Sequence, residues 1–130
     1  MKTLATVAIL AMVAGPALAA PVELQSSVPG AATTVTNWYK QSVYDPKDNK
    51  IGEIMDVLTT KDGKIETLIV GVGGFLGAGE KDVAVPFHAV QTTKKDNKWY
   101  LTMDTTKDAL KNARGFKYDK ATTAWTPDNK

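Results

Sequence analysis

The 130-residue sequence has no cysteine and a single histidine, His88. The missing thiols exclude disulfides, cysteine nucleophiles, thiolate metal sites and lipid-modified cysteine anchors. One imidazole cannot supply the two or three histidines of most zinc centres. Serine is scarce after the first twenty positions: Ser26, Ser27 and Ser42 only. None stands in a nucleophile-elbow pattern, and nothing points to a triad built on His88. Charge of one sign is lacking too, because 16 basic residues face 14 acidic ones, for a net charge of +2. The signs are scattered, so no electrostatic track for nucleic acid is expected. The length allows one small domain with tails and excludes a two-domain enzyme.

What is present begins with an export signal. Lys2 supplies the positive start, Leu4 to Ala14 an apolar stretch, and Gly15-Pro16 a break. Ala17-Leu18-Ala19 then gives the small-x-small pattern of a cleavage site. The stretch is shorter than the roughly 20 residues of a membrane span. Residues 1–19 therefore read as a cleaved signal peptide and the protein as periplasmic, with an uncleaved anchor as the rival reading. Cleavage leaves Ala20 to Lys130 with 15 of the basic and all 14 acidic residues, a net charge of +1 and no stable membrane span.

Residues 20–36 are rich in Ala, Ser, Thr, Pro and Val and read as a flexible leader. Order is expected from near Trp38. Strands are predicted over Asn37 to Tyr44, Ile51 to Thr60, Ile65 to Val72 and Asp82 to Phe87, then near His88 to Thr93 and around Trp99 to Met103. Asp45-Pro46-Lys47-Asp48-Asn49-Lys50 reads as a polar turn, and Lys61-Asp62-Gly63-Lys64 as a tight hairpin turn. Pro86 cannot donate to a ladder, which makes its strand short or an edge. Thr105 or Thr106 can cap a short helix reaching about Asn112, with Gly115 as a stop. Residues 37–118 are the expected domain and 119–130 a polar C-terminal tail in which Trp125 alone has much to bury.

Gly71 to Lys81 holds five glycines in eleven residues. Gly74 and Gly79 have P-loop spacing, but Glu80 stands where lysine is required, and no frame gives the glycines of a dinucleotide fingerprint. The segment reads as a loop needing unusual dihedrals or close backbone approach. Phe75 and Leu76 either plug one end of a barrel or form an exposed apolar contact. Gly73, Gly74, Phe75, Leu76 and Gly77 are accordingly the candidate partner-contact residues. His88 reads as a surface or rim residue. Glu53 and Asp56, three apart on a strand, are expected on opposite faces and so not as an acid–base pair. Asp56 reads as a structural acceptor for turn amides. Asp45 to Asn49 lacks the alternating ligands of a calcium loop. No metal site, catalytic residue or cofactor is expected.

Several of these segments, in this order, resemble one family. Ile51-Gly52-Glu53-Ile54-Met55-Asp56-Val57 is similar to the G-x-I-x-D-V start of PRC-barrel domains. Asp62-Gly63-Lys64-Ile65 through Val72 resembles their next hairpin strand, and Gly73 to Phe87 their loop and V-x-V-P strand. The resemblance runs from about Trp38 to Met103 and on towards Tyr118. It implies an all-β fold: a small, partly open meander β-barrel with a short C-terminal helix. It also implies a docking role and no enzymatic activity, as in the ribosome-maturation protein and the H subunit of photosynthetic reaction centres. The expected function is an exported, non-catalytic module that docks on an unknown protein or envelope partner, without nucleic acid and with homo-oligomerisation possible. The alternative is a reaction-centre H-subunit-like electron-transfer accessory or a small pigment or quinone binder.

Overall fold

In the computed structural model, residues 21–73 and 79–129 are described. Residues 1–19 of the expected signal and Gly74, Phe75, Leu76 and Gly77 of the contact loop lie outside them. The chain divides after Ala32. Residues 21–32 contain one turn, in which the Ala32 N–H donates to the Pro29 carbonyl at 3.1 Å. Val22, Leu24 and Val28 are exposed there.

From Thr33 onwards the chain is mostly strand. The elements are β1 (Ser42–Tyr44), β2 (Lys50–Thr59), β3 (Ile65–Val72), β4 (Lys81–Pro86), β5 (Val90–Lys95), β6 (Lys98–Met103), α1 (Lys107–Lys111), β7 (Phe116–Asp119) and β8 (Ala124–Pro127). They form one open eight-stranded sheet in the order β5-β6-β1-β2-β3-β4-β7-β8. Strands β1 to β4 follow the expected meander. The β5–β6 hairpin then returns to the far side of β1, where β6 pairs with it in parallel. The fold is all-β with one short helix, as expected.

Local chemistry accounts for the element boundaries. Lys40 adopts a left-handed φ of 64°, and the preceding 3-10 turn at Val35–Asn37 sends the Trp38 N–H to the Val35 carbonyl. The strand expected from Asn37 is thereby shortened to Ser42–Tyr44. Asp45 organises the next turn: its Oδ1 accepts from the Lys47 and Asn49 backbone N–H groups, both at 2.9 Å. The Asn49 amide bond holds the Asp45 carboxyl below its ordinary range. Gly63, at φ 82°, carries the β2–β3 turn, and its N–H donates to the Thr60 carbonyl at 2.9 Å. Thr106 caps α1, its Oγ1 accepting from the Ala109 N–H at 3.1 Å. The helix ends at Asn112 in a right-handed conformation; Gly115 is not its left-handed stop. Instead, Lys81 Nζ donates to the Lys111 and Ala113 carbonyls at 2.5 and 3.0 Å, a cation at the negative end of the helix. Residues 119–130, expected as a tail, include β8, paired along its length with β7.

One face of the sheet carries the core. Val43, Ile51, Ile54, Leu68, Val70, Val72, Val83, Val85, Leu101, Met103 and Leu110 pack together with Trp38. Trp38 is 5% exposed and meets Phe87 at 4.7 Å between ring centroids. Ile69 is 1% exposed yet lies outside this cluster. By strand alternation it faces the opposite side from Leu68 and Val70.

Candidate functional site at the barrel rim

The glycine positions at the ends of β2 and β3 are set by close approach. A Cβ on Gly52 would lie 2.6 Å from Val70 Cγ1 and 3.0 Å from the Gly71 carbonyl oxygen. A Cβ on Gly71 would lie 2.7 Å from Glu80 Oε1, 2.8 Å from Met55 Cγ and 3.2 Å from Asp82 Oδ1. Two carboxylates therefore lean over bare backbone at Gly71. Alternation along β4 sends Lys81 to the helix end while Asp82 turns towards Gly71. Asp82 Oδ1 is buried and has no hydrogen-bond partner. Burial pushes the Asp82 carboxyl above its ordinary range, and the negative charge of Glu80 pushes the same way.

Beside these acids opens a cleft of about 330 Å³, lined by Lys50, Gly52, Glu53, Gly71, Gly73, Glu80 and Lys107, with Ile51 at its base. Two lysines and two glutamates share it, so it carries both signs and no net charge. Of the sequence-predicted contact residues, Gly73 lines this cleft; Gly74, Phe75, Leu76 and Gly77 are outside the described residues. Among the described residues, no group of three or more acidic or histidine side chains is placed to hold a metal ion. His88 sits exposed in a 3-10 turn at Phe87–Ala89, and no hydrogen bond joins it to Ser42 in β1.

The reading of Glu53 and Asp56 requires a correction. Glu53 pairs with Gly71 and Asp56 with Ile69, and these two partners share one face of β3. The two acids are thus on the same face. A β-bulge at Met55 inserts one residue and shifts the alternation. They still form no acid–base pair, since both oxygens of Asp56 are engaged. Its Oδ1 accepts the Val57 N–H at 2.8 Å, within the bulge. Its Oδ2 accepts the indole N–H of Trp125 at 2.7 Å, across 69 residues of sequence. Trp125 also meets Tyr118 edge-on at 5.8 Å. Asp56 is a structural acceptor as expected, but its donors are a strand-bulge amide and an indole of β8 in place of turn amides.

Sequence reasoning missed this clasp. A signal was present: Ile51, Ile54, Met55, Val57 and Leu58 break strict alternation, which a strand buried on one face does only where a bulge intervenes.

Comparison with protein-family models matches residues 33–110 to the PRC-barrel domain. That is more than half of the sequence, and the chain belongs to the PRC-barrel family. The resemblance carried by Ile51 to Phe87 thus holds. The match spans β1 to β6 and α1 as far as Leu110; β7, β8 and the Trp125 clasp lie beyond it. A search of curated proteins finds no match.

Proposed function

We propose that this PRC-barrel protein is an exported, non-catalytic docking module that binds another protein or an envelope component through the rim beside its glycine-rich segment. The observation that carries the reading is the rim cleft. Lys50, Glu53, Glu80 and Lys107 surround buried Gly71 and half-buried Gly73 in an open, charge-balanced depression. Mixed charges around an open depression suit recognition of a complementary protein surface, where electrostatic complementarity selects the partner. Phe75 and Leu76, read from sequence as either a barrel plug or an exposed apolar contact, follow Gly73 and Gly74 in the chain, and in the second role would add the apolar anchor that interfaces rely on. Export rests on the signal read in residues 1–19.

The test is crosslinking in the native cell with an amine-reactive reagent, followed by mass spectrometry. One stoichiometric partner joined through Lys50 or Lys107 is the expected result. Recovery of the protein crosslinked to nothing but itself would refute docking on a separate partner. N-terminal sequencing of the same material is expected to begin at Ala20; a chain still starting at Met1 would remove cleaved export from the reading.

A further inference from the structure

A second concave surface lies on the sheet face opposite the core, across β1, β5 and β6. Val43, Leu101 and Met103 point into the core, so alternation turns Tyr44, Tyr100 and Thr102 outwards. Register brings them together: Tyr44 stands opposite Thr102, and Tyr100 opposite Thr93. The two tyrosine rings meet edge to face, at 6.0 Å between centroids and 68° between planes. Each flanking turn contributes a carboxylate from a left-handed residue, Asp48 at φ 64° and Asp96 at φ 52°. Because β1 and β6 run parallel, the turn after β1 and the turn before β6 lie at opposite ends of the pair. The two acids therefore bracket the rings. With Thr93, Lys95 and Thr102 they line a groove of about 550 Å³, a size typical of ligand sites.

These side chains are uncommitted to the fold. Apart from the tyrosine ring contact, none of the seven makes a side-chain hydrogen bond or ion pair with another described residue. Elsewhere the chain uses such groups structurally, as Asp45, Asp56 and Thr106 show. Two aromatic rings, two threonines, a lysine and two acids are thus left without a side-chain hydrogen bond or ion pair to another described residue.

We propose that this groove binds a proline-rich segment of a partner protein, held as a polyproline II helix and carrying a basic side chain. The proposal rests on the docking reading above and adds a second contact to it. A polyproline II helix makes no internal hydrogen bonds, so its carbonyls need outside donors. Tyr44, Tyr100, Thr93 and Thr102 offer hydroxyls around the groove. The edge-to-face rings form an aromatic wall of the groove against which a pyrrolidine ring can pack, and preformed polyproline segments dock in aromatic-lined grooves because they lose little entropy on binding. The charge agrees: two carboxylates against Lys95 leave the groove net negative, which attracts arginine or lysine and repels phosphate. The edge of β5 is guarded by Lys94 and Lys95, as exposed edges are against strand addition. The face of this hairpin is therefore the accessible surface.

The test is an NMR titration of the full chain with a short synthetic peptide of prolines ending in arginine. A peptide with glycine and serine in place of the prolines is the control. The proline peptide is expected to shift amides of β1, β5, β6 and their turns, and the control to shift none. Tyr100→Leu should weaken binding about tenfold, as loss of an aromatic anchor does. Tyr100→Phe keeps the ring and should weaken it less. Asp48→Asn combined with Asp96→Asn should remove the salt dependence of binding while sparing a proline peptide without arginine. Glu66→Gln, on β3, should change nothing. Equal binding of both peptides, shifts confined to the rim cleft, or no shifts would overturn the proposal. So would a response of the same tyrosines to a chitin trisaccharide but not to the peptide, which would make the groove a glycan site. A crosslinked partner lacking any proline-rich segment leaves the docking reading standing and overturns this one. Peptide binding without any cellular partner does the reverse.

Discussion

Removing the Trp125 clasp should loosen the whole sheet. Trp125→Phe deletes the indole N–H that Asp56 Oδ2 accepts at 2.7 Å while keeping an aromatic ring against Tyr118. A hydrogen bond to a charged acceptor contributes about 1.5–3 kcal/mol net. Asp56 is only partly buried, so water can replace a lost donor, and the lower end of that range, about 1.5 kcal/mol, applies. Asp56→Ala loses this bond and also the Val57 N–H bond that fixes the bulge; a further contribution of about 1 kcal/mol brings the loss to about 2.5 kcal/mol. Combining the two changes should cost little more than Asp56→Ala alone, since one bond cannot be lost twice. The coupling energy from the double-mutant cycle is then about 1.5 kcal/mol. Urea unfolding followed by far-UV circular dichroism measures each value. For a domain of this size the Trp125→Phe change corresponds to a fall in Tm of about 6–12 °C. A coupling energy below about 0.5 kcal/mol, the additivity expected of independent sites, would refute the claim that Asp56 holds β8 to the barrel.

Gly71→Ala should destabilise the fold by about 1–3 kcal/mol, because its Cβ would press on Met55 Cγ at 2.8 Å and on the Glu80 carboxylate at 2.7 Å; a thermal melt unchanged from the parent would show that β3 and β4 can spread freely there. Asp82→Asn should stabilise the protein at neutral pH. The folded state raises the Asp82 carboxyl above its unfolded value, so it binds the proton more tightly than the unfolded chain does, and stability falls as pH rises from the unfolded pKa through the folded one. The penalty is fully present at neutral pH, is softened by solvent because the group is partly exposed, and disappears when the charge is removed; an Asp82→Asn variant whose pH–stability curve parallels the parent's from pH 4 to 7 would contradict this account.

Much of the barrel was legible because its signals are local. The β2–β3 hairpin follows from two β-branched runs and Gly63, the Asp45 turn from a side chain that hydrogen-bonds its own backbone, and α1 from Thr106 as its cap. What was not legible depends on tertiary register. The face of Asp56 is set by the bulge at Met55, and one inserted residue reverses every face that follows. The β1–β6 parallel pair joins segments some sixty residues apart. Neither strand's composition distinguishes a neighbour in sequence from one brought in by a crossover. The rim was half visible: the glycines announced close approach, but not that Glu80 and Asp82 would be what approaches Gly71.

The two faces of the sheet divide the labour in a way that bears on function. On the β2-β3-β4 side, the face away from the core is occupied by the chain itself around Asp56: Trp125 reaches Asp56, and the neighbouring Ile69 is buried. On the β1-β6-β5 side, the equivalent face holds Tyr44 and Tyr100, whose side chains hydrogen-bond to no other described residue. The strands that cover the first face, β7 and β8, lie beyond the family match at residues 33–110, whereas β1, β5 and β6 lie within it. A barrel this small cannot bury both faces of an eight-stranded sheet with about a hundred residues. Closing one side around Asp56 with its own C-terminal hairpin leaves the rim cleft and the whole of the other side as surfaces on which a partner can add contacts without displacing any that the fold requires.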